Sequence, residues 1–328
     1  MPGPLAAAMA VGVAVALSIG GETGGPVQRS ATVPADSWYH LGEGMDTNVS
    51  GAALMTAGPD HVTALIVRDN KKQGENRVAT VTFRPGRTPE VVPVAWHGDL
   101  PEDIEAIDAV PRRPGSYVTL TSAGRGNVIT LGRDGATVTG TFDVPDPGGD
   151  PKLEGFALAA VGERMLAVWA DRGQEQRPAT LYAAPFDMDS LGFGEVARME
   201  VTAPYPTQDA RDISDVKILP GGMLLATSAW EAGDEGPFDG AVYVPGSVAM
   251  TGDRATLTPA SASAPLLVLD GRKAEAIACL ADSGRCVLGA DDELMGGSLH
   301  FVTAPITPVP RVPARFPTRM NGQTPVHS

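Results

Sequence analysis

The chain predicts an all-β fold, a five-bladed β-propeller. A Ser or Glu heads a short apolar segment at five places, Ser50, Glu105, Glu154, Ser214 and Glu275. These heads stand roughly 50–60 residues apart, a spacing that fits one propeller blade. The residue after each head is Gly51, Ala106, Gly155, Asp215 or Ala276, four of them small. Innermost strands crowd the axis of a propeller, and small residues suit that position. The 39 Gly and 29 Pro are spread along the chain at turn positions, as many short connections between strands require. No segment of useful length carries helical periodicity.

Within each unit the head strand is followed by a turn and a second strand, at residues 62–67, 117–121, 165–170, 223–228 and 286–290. These runs are largely aliphatic or β-branched, as strands covered on both faces are. Third strands follow at 77–83, 127–131, 180–184, 241–244 and 298–302, and fourth strands at 91–96, 137–144, 195–201 and 266–269. The fifth unit has no clear fourth strand of its own. Residues 37–41 supply it from the N-terminus and close the ring, which removes exposed sheet edges. Longer spacings after Glu154 and Ser214 leave room for one more unit, so six blades is the alternative count. The domain plan is a signal peptide or N-terminal anchor and linker over 1–33, a propeller over 34–305, and a Pro-rich tail over 306–328.

Composition narrows the function classes. A net charge of −14 and an isoelectric point near 4.7 exclude nucleic acid polymers and anionic lipid as partners. With 43% hydrophobic residues and a mean hydropathy of −0.02, the chain reads as soluble and globular with a sizeable core. Residues 5–19 form one apolar run, too short for a membrane span and suited to a secretory signal. The first four residues carry no Lys or Arg, which keeps an anchor as the alternative. The expectation is a secreted or extracytoplasmic protein with no membrane span in its mature form. Cys279 and Cys286 flank a turn. They are either bridged across a hairpin or two buried thiols.

Equivalent heads of a closed ring point at one axis. The carboxylates of Glu105, Glu154 and Glu275 and the hydroxyls of Ser50 and Ser214 are therefore expected to converge there. Crowded carboxylates stay ionised only if a proton or a cation compensates them. Calcium suits such a ring, because it accepts many hard oxygens in tolerant geometry, and magnesium suits it less. The competing reading makes each Glu a polar strand start bonded to a neighbouring blade. By chain direction, the loops after the second strands lie on the same side as the heads. They carry Arg68, Lys71, Arg125 and Arg172 in the first three units and acids at 231–235 and 291–293 in the last two. Those cations are expected to hold a small anionic substrate or extracellular ligand; otherwise they are solvated loop tips. The chain has no Gly-x-Ser-x-Gly elbow and no His-Glu-x-x-His helix, and Gly124 and Gly126 read as a turn rather than a phosphate loop.

The order Ser, Glu, Glu, Ser, Glu over five blades resembles the calcium-activated nucleotidase (apyrase) family, five-bladed propellers with calcium in a central tunnel. Residues 213–220 resemble its fourth-blade motif. Lys152 with Glu154 and Gly155, and Lys273 with Glu275, resemble strands found there and in bacterial esterase-like phytase propellers. The resemblance spans most of residues 37–305. It implies Ser50, Glu105, Glu154, Ser214 and Glu275 as calcium ligands, and a metal-assisted hydrolase of phosphate esters or anhydrides. At residues 68–74 the chain departs from the family's Asp-Asp-Arg-Thr-Gly loop, and it has no Trp-rich third-blade segment. A second expectation, from a different class, is a non-catalytic binding or scaffold propeller with a structural calcium. Fold alone does not separate the two.

Overall fold

Five radial sheets stand around one axis in the computed structural model, which describes residues 30–58, 60–84, 86–145, 152–173, 177–261, 264–280 and 283–302. Blade 1 comprises Gly51–Ala57, Val62–Val67, Val78–Phe83 and Glu90–Val94. Blade 2 comprises Ile104–Ala109, Ser116–Thr121, Arg125–Leu131 and Ala136–Asp143. Blade 3 comprises Leu153–Val161, Arg164–Asp171 and Ala179–Asp187, with Gly192–Phe193 and Ala197–Val201 both on its outer edge. Blade 4 comprises Arg211–Ile218, Leu224–Glu231, Phe238–Tyr243 and Leu267–Asp270. Blade 5 comprises Ala274–Cys279, Cys286–Asp291 and Gly297–Val302, and its fourth strand is Tyr39–His40. Each innermost strand packs on that of the next blade, and the fifth returns to the first. The expected five-bladed propeller, closed by the N-terminal strand, is the observed fold.

The six-blade alternative is removed by where the extra residues go. After the third strand of blade 4 the chain inserts a separate hairpin, Gly246–Thr251 with Arg254–Pro259. That hairpin lies against the outer strands of blade 3 and forms no sheet on the axis. A second correction concerns the expected strand over 91–96. Blade 1 ends at Val94, and Trp96–His97 leaves it to pair in parallel with Ala136 and Thr137 at the edge of blade 2. Ala31–Val33 likewise pairs in parallel with Leu267–Leu269 of blade 4, so the sheet structure starts ahead of residue 34. The apolar run over 5–19 and the tail over 306–328 lie outside the described residues. Cys279 and Cys286 face each other across the blade 5 hairpin and are bridged.

The core is divided among the five junctions between blades, each with its own apolar cluster. The junction of blades 2 and 3 is the aromatic one, where Phe142, Phe156, Phe186, Phe193 and Trp169 pack together. Near the axis the strands come too close for side chains. A Cβ on Gly155 would stand 2.9 Å from the Val216 nitrogen, and one on Gly51 would stand 3.1 Å from the Ala106 Cα. This is why the residues after the heads are small.

Deeper in the tunnel, charge takes the place of packing. Asp108 of blade 2 accepts the Leu158 N–H of blade 3 at 2.8 Å. Asp215 of blade 4 accepts the Ile277 N–H of blade 5 at 2.9 Å. Lys217 reaches from blade 4 to blade 2, donating to the Ile107 carbonyl and to Asp215, both at 3.0 Å. Burial pushes the Asp215 carboxyl up to about 7, with Lys217 acting against that rise. Asp215 and Lys217 therefore lace blades 2, 4 and 5 together across the tunnel. Lys217→Met should cost about 3–5 kcal/mol in urea unfolding, because it strands a buried carboxylate, and Asp215→Asn in the same chain should restore most of it. A loss near zero for the single variant would contradict the lacing.

Candidate metal centre on the propeller axis

The three glutamates reach the axis because the backbone kinks at each of them. Ile104 and Ala106 pair with the consecutive residues Thr121 and Leu120, so Glu105 is skipped in the ladder. Glu154 is skipped between Leu153 and Gly155, and Glu275 between Ala274 and Ala276. Each is the extra residue of a β-bulge, a device that re-aims a side chain. One oxygen from each of the three lies within 4.8 Å of the others. The convergence expected from the repeat is observed for all three carboxylates.

The two serines are committed to the framework. Ser50 Oγ accepts the Asp69 N–H at 3.2 Å. Ser214 Oγ donates to the Ala274 carbonyl at 2.6 Å and lies 3.1 Å from Thr227 Oγ1. Ser50 thereby steadies the loop that brings Asp69 toward the cluster, and Ser214 ties blade 4 to blade 5.

Three cations stand among the carboxylates: Arg172, expected instead at the mouth, Lys273, and Arg211, which the sequence did not single out. Arg211 Nη1 lies 2.6 Å from Glu275 Oε1 and 3.8 Å from Glu154 Oε1, while its Nη2 lies 2.9 Å from Glu231. Arg172 binds Glu154 at 2.8 Å. Lys273 lies 3.2 Å from Glu275, 2.9 Å from Glu231 and 3.5 Å from Asp291, and also pairs with Glu293. Burial opposes the charge of Arg211 and of Lys273, yet the surrounding carboxylates hold both above their ordinary ranges. Compensation remains incomplete. Among the described residues Glu105 makes no hydrogen bond or ion pair, and burial together with Glu154 and Glu275 pushes its carboxyl well up. Burial and nearby acids also raise Asp69 and Asp291. An excess of carboxylate over cation is concentrated around Glu105.

The four cations expected at the mouth do not form one patch. Arg68 is buried and donates to the Asp46 carbonyl. Lys71 pairs with Asp103 at 2.9 Å, and Arg125 with Asp143 at 2.9 Å. Arg172 points inward to Glu154. The acids of the last two blades, Glu231, Asp291 and Glu293, close over Lys273 instead. The repeated Lys two residues ahead of Glu154 and Glu275 was the available sequence signal for Lys273. Arg211, three residues ahead of Ser214, had no such pattern.

No protein-family model and no curated protein matches the chain. Among solved structures it is similar to an endo-1,4-β-xylanase from Bacteroides thetaiotaomicron, at 13% identity and a TM-score of 0.49 over 80% of this chain and 90% of that one. It is also similar to an α-L-arabinofuranosidase from Podospora anserina, solved in complex with cellotriose, at 11% identity and a TM-score of 0.49 over 84% and 95%. At these identities the likeness concerns the course of the chain alone. These solved structures are glycoside hydrolases, and no nucleotidase or phytase family model matches, which corrects the expected membership of those propellers. The phosphoester and phosphoanhydride hydrolase that came with that expectation falls with it. The mouth gives the physical reason: its expected phosphate-holding cations are already engaged, and the tunnel beneath is rich in carboxylate.

Ion pairing at the site sets a pH dependence. Burial works against the charge of Glu231, but Arg211 and Lys273 pull its carboxyl down to about 2. A depressed folded-state value stabilises above the ordinary carboxylate range and is lost as pH falls toward 2. Glu231→Gln should therefore lower the melting temperature at pH 7, with the gap to the parent closing on acidification from pH 5 to pH 2.5. A gap that does not change with pH would contradict this ion-pair account.

Proposed function

We propose that the chain is an exported propeller that holds a divalent cation, calcium, on its axis and binds an extracellular ligand at the adjoining mouth without catalysis. One observation carries the proposal: three bulge glutamates from three blades bring an oxygen each within 4.8 Å, and Glu105 among them has no ion pair within the described residues. The donors fit. They are hard carboxylate oxygens, the kind calcium accepts and softer transition metals do not prefer. Glu105, Glu154 and Glu275 would hold the ion, with Asp69 and Asp291 beside it. Calcium bound there would supply two positive charges to an under-compensated cluster. Ser50 and Ser214 brace the loop and the blade junction around it. The Cys279–Cys286 bridge supports an oxidising, extracytoplasmic location, and among the described residues no helix is long and apolar enough to cross a membrane.

A second reading is favoured by one specific feature. Glu105, half-buried and pushed toward its protonated form, stands next to Glu154 and Glu275, which Arg172 and Arg211 hold by ion pairs. A proton-bearing carboxyl beside an ion-paired carboxylate, about 5 Å apart, is an arrangement that glycosidic bond hydrolysis uses. On that reading Glu105 would donate its proton to the leaving oxygen.

The two readings separate in one set of measurements. At about a hundredfold excess over its dissociation constant, calcium should raise the melting temperature by roughly 5 °C or more. Glu105→Gln and Glu275→Gln should each weaken that response at least tenfold in calcium concentration, and aryl xylosides and arabinofuranosides should not be hydrolysed. Glycoside turnover abolished by Glu105→Gln would replace the binding reading by the catalytic one. A melting temperature indifferent to calcium would end the metal proposal.

A further inference from the structure

On the face opposite the tunnel mouth, where blade 5 meets blade 1, lies a cavity of about 340 Å³ that the axial site does not use. Its position follows from chain direction. Gly58 and His61 flank the first turn of blade 1, Arg84 and Arg87 lie in that blade's last turn, and Arg285 lies in the first turn of blade 5. One wall is aromatic: the rings of Phe83 and Phe301 stack with centroids 5.9 Å apart, and Tyr39 adds a third ring to the lining. The rim is cationic, in a chain whose net charge is −14.

The three arginines differ in how far they are engaged. Arg84 pairs with Glu90 at 3.3 Å, both well exposed. The Arg285 guanidinium lies 5.8 Å from the Phe301 ring centroid, and its Nε reaches Ser283 at 3.2 Å, so it is held over the aromatic wall, with no acidic partner among the described residues. Arg87 is exposed, and its side chain has no ion pair among the described residues. The one acid in the lining, Asp60, is taken by His61 at 3.0 Å. An aromatic wall beside two guanidiniums with no carboxylate partner among the described residues selects for an apolar ring bearing one negative charge. The ring buries its faces against aromatic carbon, and a carboxylate matches the planar fork of arginine.

We infer that this cavity is a second ligand site, for a small aromatic carboxylate. The ring lies against Phe83 and Phe301, and the carboxylate accepts from Arg87 and Arg285. The site is independent of the axial one. It is tested by calorimetric titration of the full chain with 1-naphthoate, alongside the neutral 1-naphthalenemethanol of the same ring. Naphthoate should bind, the alcohol should bind at least about tenfold more weakly, and Arg87→Ala should weaken naphthoate about tenfold at an unchanged melting temperature. Phe83→Leu should weaken both compounds, and Glu105→Gln should change neither. The proposal is overturned by no binding of naphthoate up to about 10 mM, by equal affinity for the alcohol, or by an Arg87→Ala variant that binds as the parent does.

Discussion

Like charges gathered at the centre of a ring repel one another unless something positive stands among them, and the inner surface of this propeller is arranged around that constraint. Blades 2, 3 and 5 each send a glutamate inward from a bulge. Blade 4 has no acid at its head, and the same strand supplies Arg211, whose guanidinium bridges Glu154 and Glu275. Blade 1 contributes through its loop, where Ser50 holds the backbone of Asp69. The five heads are equivalent in position, three carboxylates and two hydroxyls, and the compensating charge comes from Arg172, Arg211 and Lys273 beside them. Their sum still leaves carboxylate in excess, and that imbalance turns a structural motif into a candidate ion site.

Fold and site are linked through the backbone. A propeller needs its inner strands close together, which Gly51 and Gly155 allow by leaving out side chains at the points of approach. The same crowding desolvates whatever is aimed at the axis, so a carboxylate there holds its proton more tightly and pays more for its charge. The tunnel answers this differently along its length. Deeper in, Asp108, Asp215 and Lys217 are satisfied by backbone groups of other blades and by one another. Nearer the mouth, partners are charged side chains at strand ends and on loops, and Glu105 is left without one among the described residues.

The sequence made the repeat legible because blade length, a polar head and a small follower recur together, and each has a simple cause. The closing strand at Tyr39–His40 was legible because the fifth unit lacked one. Other features depend on geometry that a linear reading does not contain. A bulge adds one residue to a strand without any composition of its own, so the re-aiming of Glu105, Glu154 and Glu275 was visible only as their position. The hairpin Gly246–Thr251 with Arg254–Pro259 lengthens the step from Ser214 to Glu275, one of the two long spacings on which six blades stood as an alternative. Trp96–His97 reads as the end of one strand and pairs in the next blade. The engagement of the mouth cations was not legible because a sequence shows charges and not their partners: Lys71, Arg125 and Arg172 pair with Asp103, Asp143 and Glu154. The family resemblance failed for a related reason. A few polar heads around an axis are shared by propellers that differ in everything else.

The central claim is that the under-compensated carboxylates meet around a cation rather than around protons and arginine alone. Anomalous diffraction from crystals grown with calcium tests it directly. The account predicts a difference peak on the axis, within bonding distance of oxygens from Glu105, Glu154 and Glu275. An axis with no peak at saturating calcium, and with Arg211 still bridging Glu154 and Glu275, would contradict it.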